Sequence, residues 1–397
     1  MWRDKTVLAI SIGVFAAYIG SSMVVPVRVL FVEQEGASLA VIGAMASAFL
    51  LSNFIFQYPM GWLADRWGRK RLMVAGLLWQ AVVSLLYLVI ADPLLFVLLR
   101  FVEGIASATM LPPARALIAD RTAPEKRGEA YGLFNAFFNA TWLLGPGIGS
   151  GLAVFGYQYV FIGAFVARIL AVLVVMLLIS EAPQSHSQTA ETRRRVTARE
   201  LLSLPLLGAY VLVFGDYLWL GFDQTLFPIW MHDNLGASVG LIGLTYIVWG
   251  LPTTLLSPVG GRIADRVRRS TTILIFGVAQ IPIYLMYGLL SVAWPMLLLG
   301  FAHAGIYALM QPSVDSHVAA STVNEIRGRV QGVYSSIGLA GAFVGANGFS
   351  LLYEADFRLP LFVMGVTFGL CVLVGGLMVR KSEERGLVVG VMGLQRR

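Results

Sequence analysis

The sequence predicts an all-α membrane protein whose twelve spanning helices form two similar halves. Three observations support this fold class. Of the 397 residues, 57% are hydrophobic and only 13% are charged, whereas a soluble domain carries roughly 25% charged residues. The charges are concentrated in short polar stretches between long apolar ones. One such stretch, GWLADRWGRKR at residues 61–71, has a close copy, GGRIADRVRR, at residues 260–269.

The apolar stretches are long enough to cross a bilayer, which takes about twenty residues of helix. We predict spans near residues 6–31, 38–60, 72–91, 94–118, 130–154, 157–180, 204–231, 238–259, 271–291, 295–319, 329–352 and 359–380. Of the 29 Lys and Arg residues, 24 fall in segments assigned to the cytoplasm, one in an outer loop and four within spans. Cytoplasmic loops are enriched in basic residues, so both termini are expected in the cytoplasm of a bacterial inner-membrane protein. The net charge of +7 therefore reports topology and not nucleic-acid binding.

The predicted domains follow from these spans. An N-terminal six-helix bundle covers residues 1–180, a cytoplasmic linker 181–203, a C-terminal six-helix bundle 204–380 and a cytoplasmic tail 381–397. The linker is polar, has no apolar periodicity and is predicted to be flexible. Its basic run at residues 193–195 could contact anionic lipid head groups. The single cysteine permits no intrachain disulfide.

An internal repeat relates the two halves. Asp65 and Asp265 are 200 positions apart (265 − 65), and identical residues recur at this spacing well beyond the charged stretch: Phe101 and Phe301, Met110 and Met310, Gly132 and Gly332, and Gly145 and Gly345. Each half contains an even number of spans, so both halves share one topology and are expected to be related by an axis along the membrane normal. Such a pair of repeats encloses a central cavity in which substrate binds.

The charged stretch at residues 61–71 carries a family resemblance. It resembles the loop 2–3 motif of the major facilitator superfamily almost residue for residue, and the chain is similar to the twelve-helix drug:proton antiporter branch over nearly its whole length. In the fourth span, Arg100 followed by Glu103-Gly104 resembles the RxxQG pattern of that branch, with Glu in place of Gln. In the fifth span, Gly145, Pro146 and Gly149 match the GPxxGG antiporter signature, with Ser150 in place of its last glycine.

The resemblance implies that the charged loop is a latch that holds one conformation of the transporter. Its expected members are Gly61, Asp65, Arg66, Arg69 and Asp120, with Asp265 and Arg266 in the repeat. The glycine allows close backbone packing, Asp65 can cap a neighbouring helix, and the arginines can bridge to carboxylates such as Asp120. The alternative is that the loop is only a basic topology marker.

Ionisable residues inside spans are candidates for proton coupling, because an ionisable group at the bilayer centre costs at least about 2.5–3.5 kcal/mol. Arg100 and Glu103 are three residues apart on one helix, so they can pair. The pair could be a proton-linked switch or a static buried ion pair. His303 occupies the repeat position of Glu103 and titrates in a useful range as a free residue. It could carry a proton or be hydrogen-bonded within the bundle.

The seventh span carries two carboxylates, Asp216 and Asp223, on one side of the helix. An unpaired carboxylate in a low dielectric suits proton uptake and release. Asp216 lies nearer the middle of the span and is the preferred proton carrier. Asp223 could serve too, or could lie at the outer water surface.

Further residues are expected at the substrate cavity or at moving parts. Arg28 could attract an anionic group of the substrate, or could snorkel to the interface. Aromatic residues could line an amphiphilic cavity: Phe138, Trp142, Trp219, Trp249 and Tyr307. Pro26 and Pro228 are expected to kink the first and seventh spans. The resemblance implies that the glycines at 145–149 form a sealed contact between the fifth and eighth spans. The alternative is ordinary glycine packing.

Together these features predict a monomeric secondary active transporter. The preferred function is proton-coupled efflux of small amphiphilic or lipophilic compounds. Two alternatives stay open: a carrier of one metabolite such as a sugar, or of a lipid, and a membrane sensor that binds a ligand without moving it. The partners expected are a small-molecule substrate, protons and membrane lipids. No cofactor is predicted, the four histidines are too scattered to suggest a metal cluster, and no catalytic constellation suggests an enzyme.

Overall fold

The structure is a computed structural model that describes residues 5–90, 92–122, 127–179, 201–322, 327–389 and 394–396. Helices account for nearly all of it. The helices before the linker are α1 (Lys5–Ser22), α2 (Val25–Gln34), α3 (Leu39–Trp67), α4 (Arg69–Leu86), α5 (Pro93–Ser107), α6 (Leu111–Arg121), α7 (Arg127–Ala153) and α8 (Tyr157–Leu178). Those after it are α9 (Leu204–Thr225), α10 (Phe227–Ile229), a π-helix (Trp230–Asn234), α11 (Val239–Arg266), α12 (Arg269–Leu289), α13 (Pro295–Ala320), α14 (Arg327–Ala355) and α15 (Leu359–Arg385).

Local sequence explains where several helices begin. Ser38 accepts a hydrogen bond from the backbone N–H of Val41 at the start of α3. Asp92 accepts one from the backbone N–H of Leu94 at the start of α5, at 2.8 Å, with Pro93 in the first turn. Both side chains satisfy a backbone donor that has no partner within the helix. Gly68 has a φ of 102° between α3 and α4, a backbone angle that glycine adopts without strain. The sharp turn between the second and third spans therefore depends on this glycine.

Every predicted span corresponds to helical structure, and nine helical stretches of the described residues are long and apolar enough to cross a membrane. The spans outside that group are helix α4, the pair α5 and α6, and helix α7, which carry more polar or charged residues or are interrupted. The prediction of an all-helical, multi-span architecture is confirmed.

Prolines interrupt the spans at three places. The first span breaks at Met23–Val24, just before Pro26, and the seventh breaks at Leu226, just before Pro228. Both predicted kinks are confirmed. The fourth span, predicted as one helix over residues 94–118, is instead two helices separated at residues 108–110. The prediction of one continuous helix was wrong because two prolines start α6 and lack the N–H that would continue the helix from α5.

The described residues form two compact units. The first contains the described residues up to 179 together with Met231–Gly250. In it, α1 packs against α7 and α8, α3 against α5, and α4 against α8. Its core is apolar and fully buried, and includes Val14, Leu77, Phe134 and Val175.

The second unit contains residues 201 to Trp230 and the described residues from Leu251 onward. In it, α9 packs against α14 and α15, and α12 against α13 and α15. Helix α15 continues past the predicted end of the last span at residue 380, to Arg385. Gly386 ends it with a φ of 57°. A short antiparallel hairpin follows, with strands Leu387–Val389 and Leu394–Arg396. The predicted boundaries of bundles, linker and tail stay a prediction, and residues 181–200 of the linker lie outside the described residues.

Candidate functional site

Helix α5 carries the pair that its spacing predicted. Nη1 of Arg100 donates a hydrogen bond to Oε2 of Glu103 at 2.7 Å, and both side chains are less than a tenth exposed. The two residues lie one turn apart on the buried face of the helix, as the i, i+3 spacing requires. The predicted pairing is confirmed, and its role in proton coupling stays a prediction.

Two further arginines reach the same carboxylate. Nη1 of Arg28, on α2, lies 3.8 Å from Oε2 of Glu103, and Nη2 of Arg168, on α8, lies 3.5 Å from Oε1. Arg28 is only 5% exposed, so the expectation that it snorkels to the interface was wrong: its guanidinium finds a buried carboxylate instead. Arg168 is one of the four basic residues predicted within spans, and no role was predicted for it because its partner lies on another helix.

Polar and aromatic groups complete this first cluster. Nη1 of Arg168 donates a hydrogen bond to Oγ of Ser84, and its Nη2 lies 3.4 Å from Oγ of Ser21. The guanidinium of Arg100 lies 4.0 Å from the ring centre of Phe49, a cation–π contact. The cluster thus joins α1, α2, α4, α5 and α8 within the first unit.

The second unit contains a carboxylate pair. Asp216, half-buried on α9, lies within electrostatic range of Asp315 on α13, and the hydroxyl of Tyr307 lies within hydrogen-bonding reach of Asp216. Asp315 accepts a hydrogen bond from Nε2 of Gln311 at 3.3 Å. Asp216 was predicted as a proton carrier from its place in the seventh span, whereas Asp315 was not predicted. One feature of the sequence could have identified Asp315. The first half has a basic residue, Arg115, at the position of the repeat where the second half has the acidic Asp315.

Tyrosines surround this carboxylate pair. Tyr217 and Tyr334 lie close enough to interact electrostatically with both Asp216 and Asp315. With Tyr307 they give the pair three phenol groups from three helices, α9, α13 and α14. We call these five residues the acidic site: Asp216, Asp315, Tyr217, Tyr307 and Tyr334. A site of this composition can exchange protons and can attract a cation with an aromatic or apolar body.

Two other candidates lie on α9 and α13: Asp223 and His303. Asp223 is 9% exposed, so its side chain is largely buried, and its role in proton coupling stays a prediction. His303 contacts the hydroxyls of Tyr287 and Tyr284 at 3.0 and 3.1 Å. Its ring centre lies 5.5 Å from that of Trp219. These contacts favour the interpretation of His303 as a hydrogen-bonded residue of the bundle.

The remaining aromatic candidates occupy different surroundings. The ring of Phe138 meets that of Tyr18 edge to face at 5.0 Å, whereas Trp142 is 39% exposed. The ring of Trp249 lies 6.2 Å from that of Tyr246. Of the predicted cavity aromatics, Tyr307 is a member of the acidic site, and the substrate role of the whole set stays a prediction.

The glycines of the antiporter signature pack against the break in the first span. A Cβ atom on Gly145 would collide with the side chain of Ser22, and one on Gly149 would collide with the carbonyl oxygen of Met23. The hydroxyl of Ser22 also donates a hydrogen bond to the carbonyl oxygen of Thr141 at 2.8 Å. Helix α7, with Pro146 in its interior, therefore lies directly on the junction between α1 and α2.

The opposite face of α7 contacts the first part of α11, which belongs to the same unit. A Cβ atom on Gly147 would meet Ile247 at 2.5 Å, and one on Gly243 would collide with Ser150. The fifth and eighth spans, which are helices α7 and α11, therefore make the predicted contact through these residues. That it seals the protein against ion leakage stays a prediction.

The charged turns that were predicted to form a latch are exposed. The guanidinium of Arg66 lies 3.9 Å from the ring centre of Trp62, and Gly61 faces open space. The side chains of Asp65 and Asp120 lie outside the described residues. Arg69 is half-buried at the start of α4.

In the repeat, Asp265 and Arg266 are exposed and line an open cavity of about 410 Å³ together with Arg268, His317 and Glu383. Beside it, the hydroxyl of Ser270 donates to Oε2 of Glu383 at 2.5 Å. The role of these turns as a latch stays a prediction. Among the described residues, no group of three His, Cys, Asp or Glu side chains could hold a metal ion.

Comparison with known sequences places these features in a family. The sequence profile of the Major Facilitator Superfamily matches residues 10–227 and 223–390. The chain is 26% identical over 397 residues to "Multidrug resistance protein 2" of Bacillus subtilis (strain 168), covering 96% of this chain and 97% of that protein. It is 23% identical over 381 residues to "Quinolone resistance protein NorA" of Staphylococcus aureus (strain Mu50 / ATCC 700699), covering 94% and 96%.

Solved structures show the same fold. A D-xylose-proton symporter superposes with a TM-score of 0.74 at 15% identity, covering 93% of this chain and 96% of that one. The human organic anion transporter MFSD10 (TETRAN) superposes with a TM-score of 0.66 at 17% identity, covering 94% and 99%. Because the family profile covers almost the entire chain, this protein belongs to the Major Facilitator Superfamily and is a multi-pass membrane transporter, not an enzyme.

Proposed function

We propose that this transporter exports small amphiphilic or lipophilic compounds in exchange for protons, by alternating access. The acidic site is the observation that carries the proposal. Asp216 and Asp315 lie within electrostatic range of each other and of three tyrosines. Two carboxylates at close range repel when both are charged, so a proton or a cationic substrate relieves the same repulsion.

Competition for this carboxylate pair gives a mechanism for antiport. A lipophilic cation can bind through charge attraction to the carboxylates and through its contact with aromatic faces. Protonation of the pair removes that attraction and releases the cation. Because the two ligands exclude each other, each conformational cycle moves a proton one way and a substrate the other. The hydroxyl of Tyr307 orients the carboxylate of Asp216 for both steps.

The proposed chemistry agrees with the names of the relatives. The Bacillus protein is named for multidrug resistance and the Staphylococcus protein for quinolone resistance, and each matches this chain over more than nine tenths of its length. The likeness to the xylose symporter concerns the fold alone. The acidic, aromatic composition of the site favours amphiphilic cations over a neutral sugar.

The remaining parts of the proposal concern topology and moving elements. We place the protein as a monomer in a bacterial cell membrane, in contact with membrane lipids and with both termini in the cytoplasm. The bundles span residues 1–180 and 204–380, joined by the linker at 181–203. In this proposal the charged turn at residues 61–71 acts as a latch, and the contact of Gly147 with Ile247 limits ion leakage.

Flux measurements on purified protein test the proposed function. Proteoliposomes with an imposed pH gradient are supplied with two unrelated lipophilic cations, an organic anion and D-xylose. We expect gradient-dependent flux of both cations, and no flux after an ionophore collapses the gradient. Flux of xylose alone would instead identify a metabolite carrier. Saturable binding of a cation without flux would identify a sensor, and either result would overturn the proposal.

The proposed latch predicts a large effect of Asp65→Asn. The substitution removes the negative charge from the turn, so we expect cation flux to fall by about tenfold, since a carboxylate at a partly buried helix N-terminus contributes up to about 2 kcal/mol and about 1.4 kcal/mol corresponds to a tenfold change. Protein yield and membrane insertion should stay unchanged. Asp92→Asn is the matched control, because Asp92 is exposed and caps the start of α5, and Asn caps a helix as well as Asp. Wild-type flux in the Asp65 variant would contradict the latch.

A further inference from the structure

The buried cluster in the first unit contains more positive than negative charge. Three guanidiniums, from Arg28, Arg100 and Arg168, surround the single carboxylate of Glu103 at nitrogen–oxygen distances of 3.8, 2.7 and 3.5 Å. All four side chains are 8% exposed or less. The charged residues that face Arg28 are the other members of this cluster. At neutral pH the described residues therefore leave two positive charges without a negative partner.

Such an excess is costly in a buried site. An ion removed from water loses several kcal/mol of solvation, and one removed into hydrocarbon loses more. The neighbours Ser84, Ser21 and Phe49 supply hydroxyl groups and a ring face, which stabilise a guanidinium but carry no charge. The cluster is therefore electrostatically complete only when one or more negative charges enter it.

Two hydrogen-bond donors in the cluster are available to such a charge. Within the part of the chain that the structure describes, Nε of Arg168 and the hydroxyl of Tyr87 are buried and have no hydrogen-bond partner. Tyr87 lies within electrostatic range of Glu103 and of all three arginines. Its ring is held by stacking against Phe96 and Phe161, with ring centres 5.8 and 5.0 Å away. Buried donors normally find an acceptor, and an anion is a strong acceptor for guanidinium and phenol donors.

We infer that this cluster binds a small monovalent anion among Arg28, Arg168 and Tyr87. Chloride is the simplest probe of this site, because it is monovalent and accepts hydrogen bonds from guanidinium and phenol donors. The same donors also suit a carboxylate, which could belong to a small organic acid or to a transported compound. The site lies in the first unit and is distinct from the acidic site, so its occupancy does not depend on the proposed efflux mechanism.

The anion site is tested by thermal unfolding of the purified full chain in detergent. The protein is prepared in sodium gluconate, whose carboxylate carries a bulky polyol chain, and chloride replaces gluconate at constant ionic strength. We expect a saturable rise in Tm, on the order of 3 °C at a hundredfold excess over Kd. Formate and acetate are titrated in the same way. A rise in Tm with chloride and formate but not with acetate indicates a site that takes only the smallest anions. A rise in Tm with acetate as well indicates a site that also accepts larger carboxylates.

Two variants with opposite expected effects make the test decisive. Arg168→Gln removes the donor Nε and one positive charge, so the chloride-dependent shift should disappear. Glu103→Gln removes the competing carboxylate, so the apparent Kd for chloride should fall at least about tenfold. Arg358→Gln, at an exposed loop position, is the matched control and should keep the wild-type shift. A Tm that ignores chloride in the wild type, or an equal shift in wild type and Glu103→Gln, would overturn the inference.

Discussion

Replacing Asp216 by Asn is expected to abolish proton-driven substrate movement while substrate exchange without a gradient continues. Asn keeps the size and hydrogen-bonding shape of the side chain but cannot take up or release a proton. It also removes one of the two charges of the acidic site, so the remaining carboxylate of Asp315 loses the repulsion that couples it to protonation. In proteoliposomes, the rate driven by a pH gradient should fall to that of protein-free vesicles, whereas counterflow between labelled and unlabelled substrate should stay within about threefold of wild type.

Two companion variants locate the effect. Asp315→Asn should produce the same separation of driven flux from exchange, because both carboxylates belong to one pair. Asp356→Asn should leave both rates unchanged, since Asp356 is exposed and its side chain accepts only a backbone hydrogen bond from Arg358. If gradient-driven flux persists in the Asp216 variant, the proton is carried elsewhere, and Asp223 becomes the next residue to replace.

Replacing Gly149 by Ala is expected to destabilise the protein and to impair transport. A Cβ atom at this position would overlap the carbonyl oxygen of Met23, and backbone atoms at a helix junction cannot move aside as a flexible side chain can. Overpacking of this kind costs roughly 1–3 kcal/mol. We expect Tm to fall by several degrees and flux to fall with it, because α7 can no longer lie against the junction between α1 and α2.

The same helix supplies the matched control for this prediction. Gly151 is exposed, and a Cβ atom there would meet nothing within 4 Å. Gly151→Ala should therefore keep or raise Tm, because alanine favours a helix over glycine by about 0.5–1 kcal/mol. Equal Tm values for the two variants would show that close packing at Gly149 does not stabilise the protein.

The architecture could be predicted from the sequence because each span is specified locally. A run of about twenty apolar residues identifies a spanning helix wherever the rest of the chain lies, and the basic loops give its orientation. The kinks before Pro26 and Pro228 follow from single residues in the same way. The break at residues 108–110 was missed because the apolar run there continues through it, and hydropathy does not register a lost backbone hydrogen bond.

The candidate sites were predictable only in part. Arg100 and Glu103 lie on one helix turn, so spacing alone pairs them. Arg168 and Asp315 reach their partners from other helices, and no periodicity in one sequence tells which helices are neighbours. Arg28 was misjudged for the same reason. Its distance from the end of the span suggested the interface, whereas tertiary packing places a carboxylate within its reach.

The interruption at Met23–Val24 has a mechanical consequence for the charge balance beside it. Pro26 has no N–H to offer the preceding turn, so one helical hydrogen bond is missing where the two half-helices meet, and bending costs least at this point. Arg28 lies about 6 Å beyond Val24 along the axis, and a swing of about 10° displaces it by about 1 Å. Its guanidinium is 3.8 Å from Glu103, so a small tilt of the outer half-helix is enough to make or break that attraction. Bending of the first span would therefore change the attraction between Arg28 and Glu103 in the bundle interior.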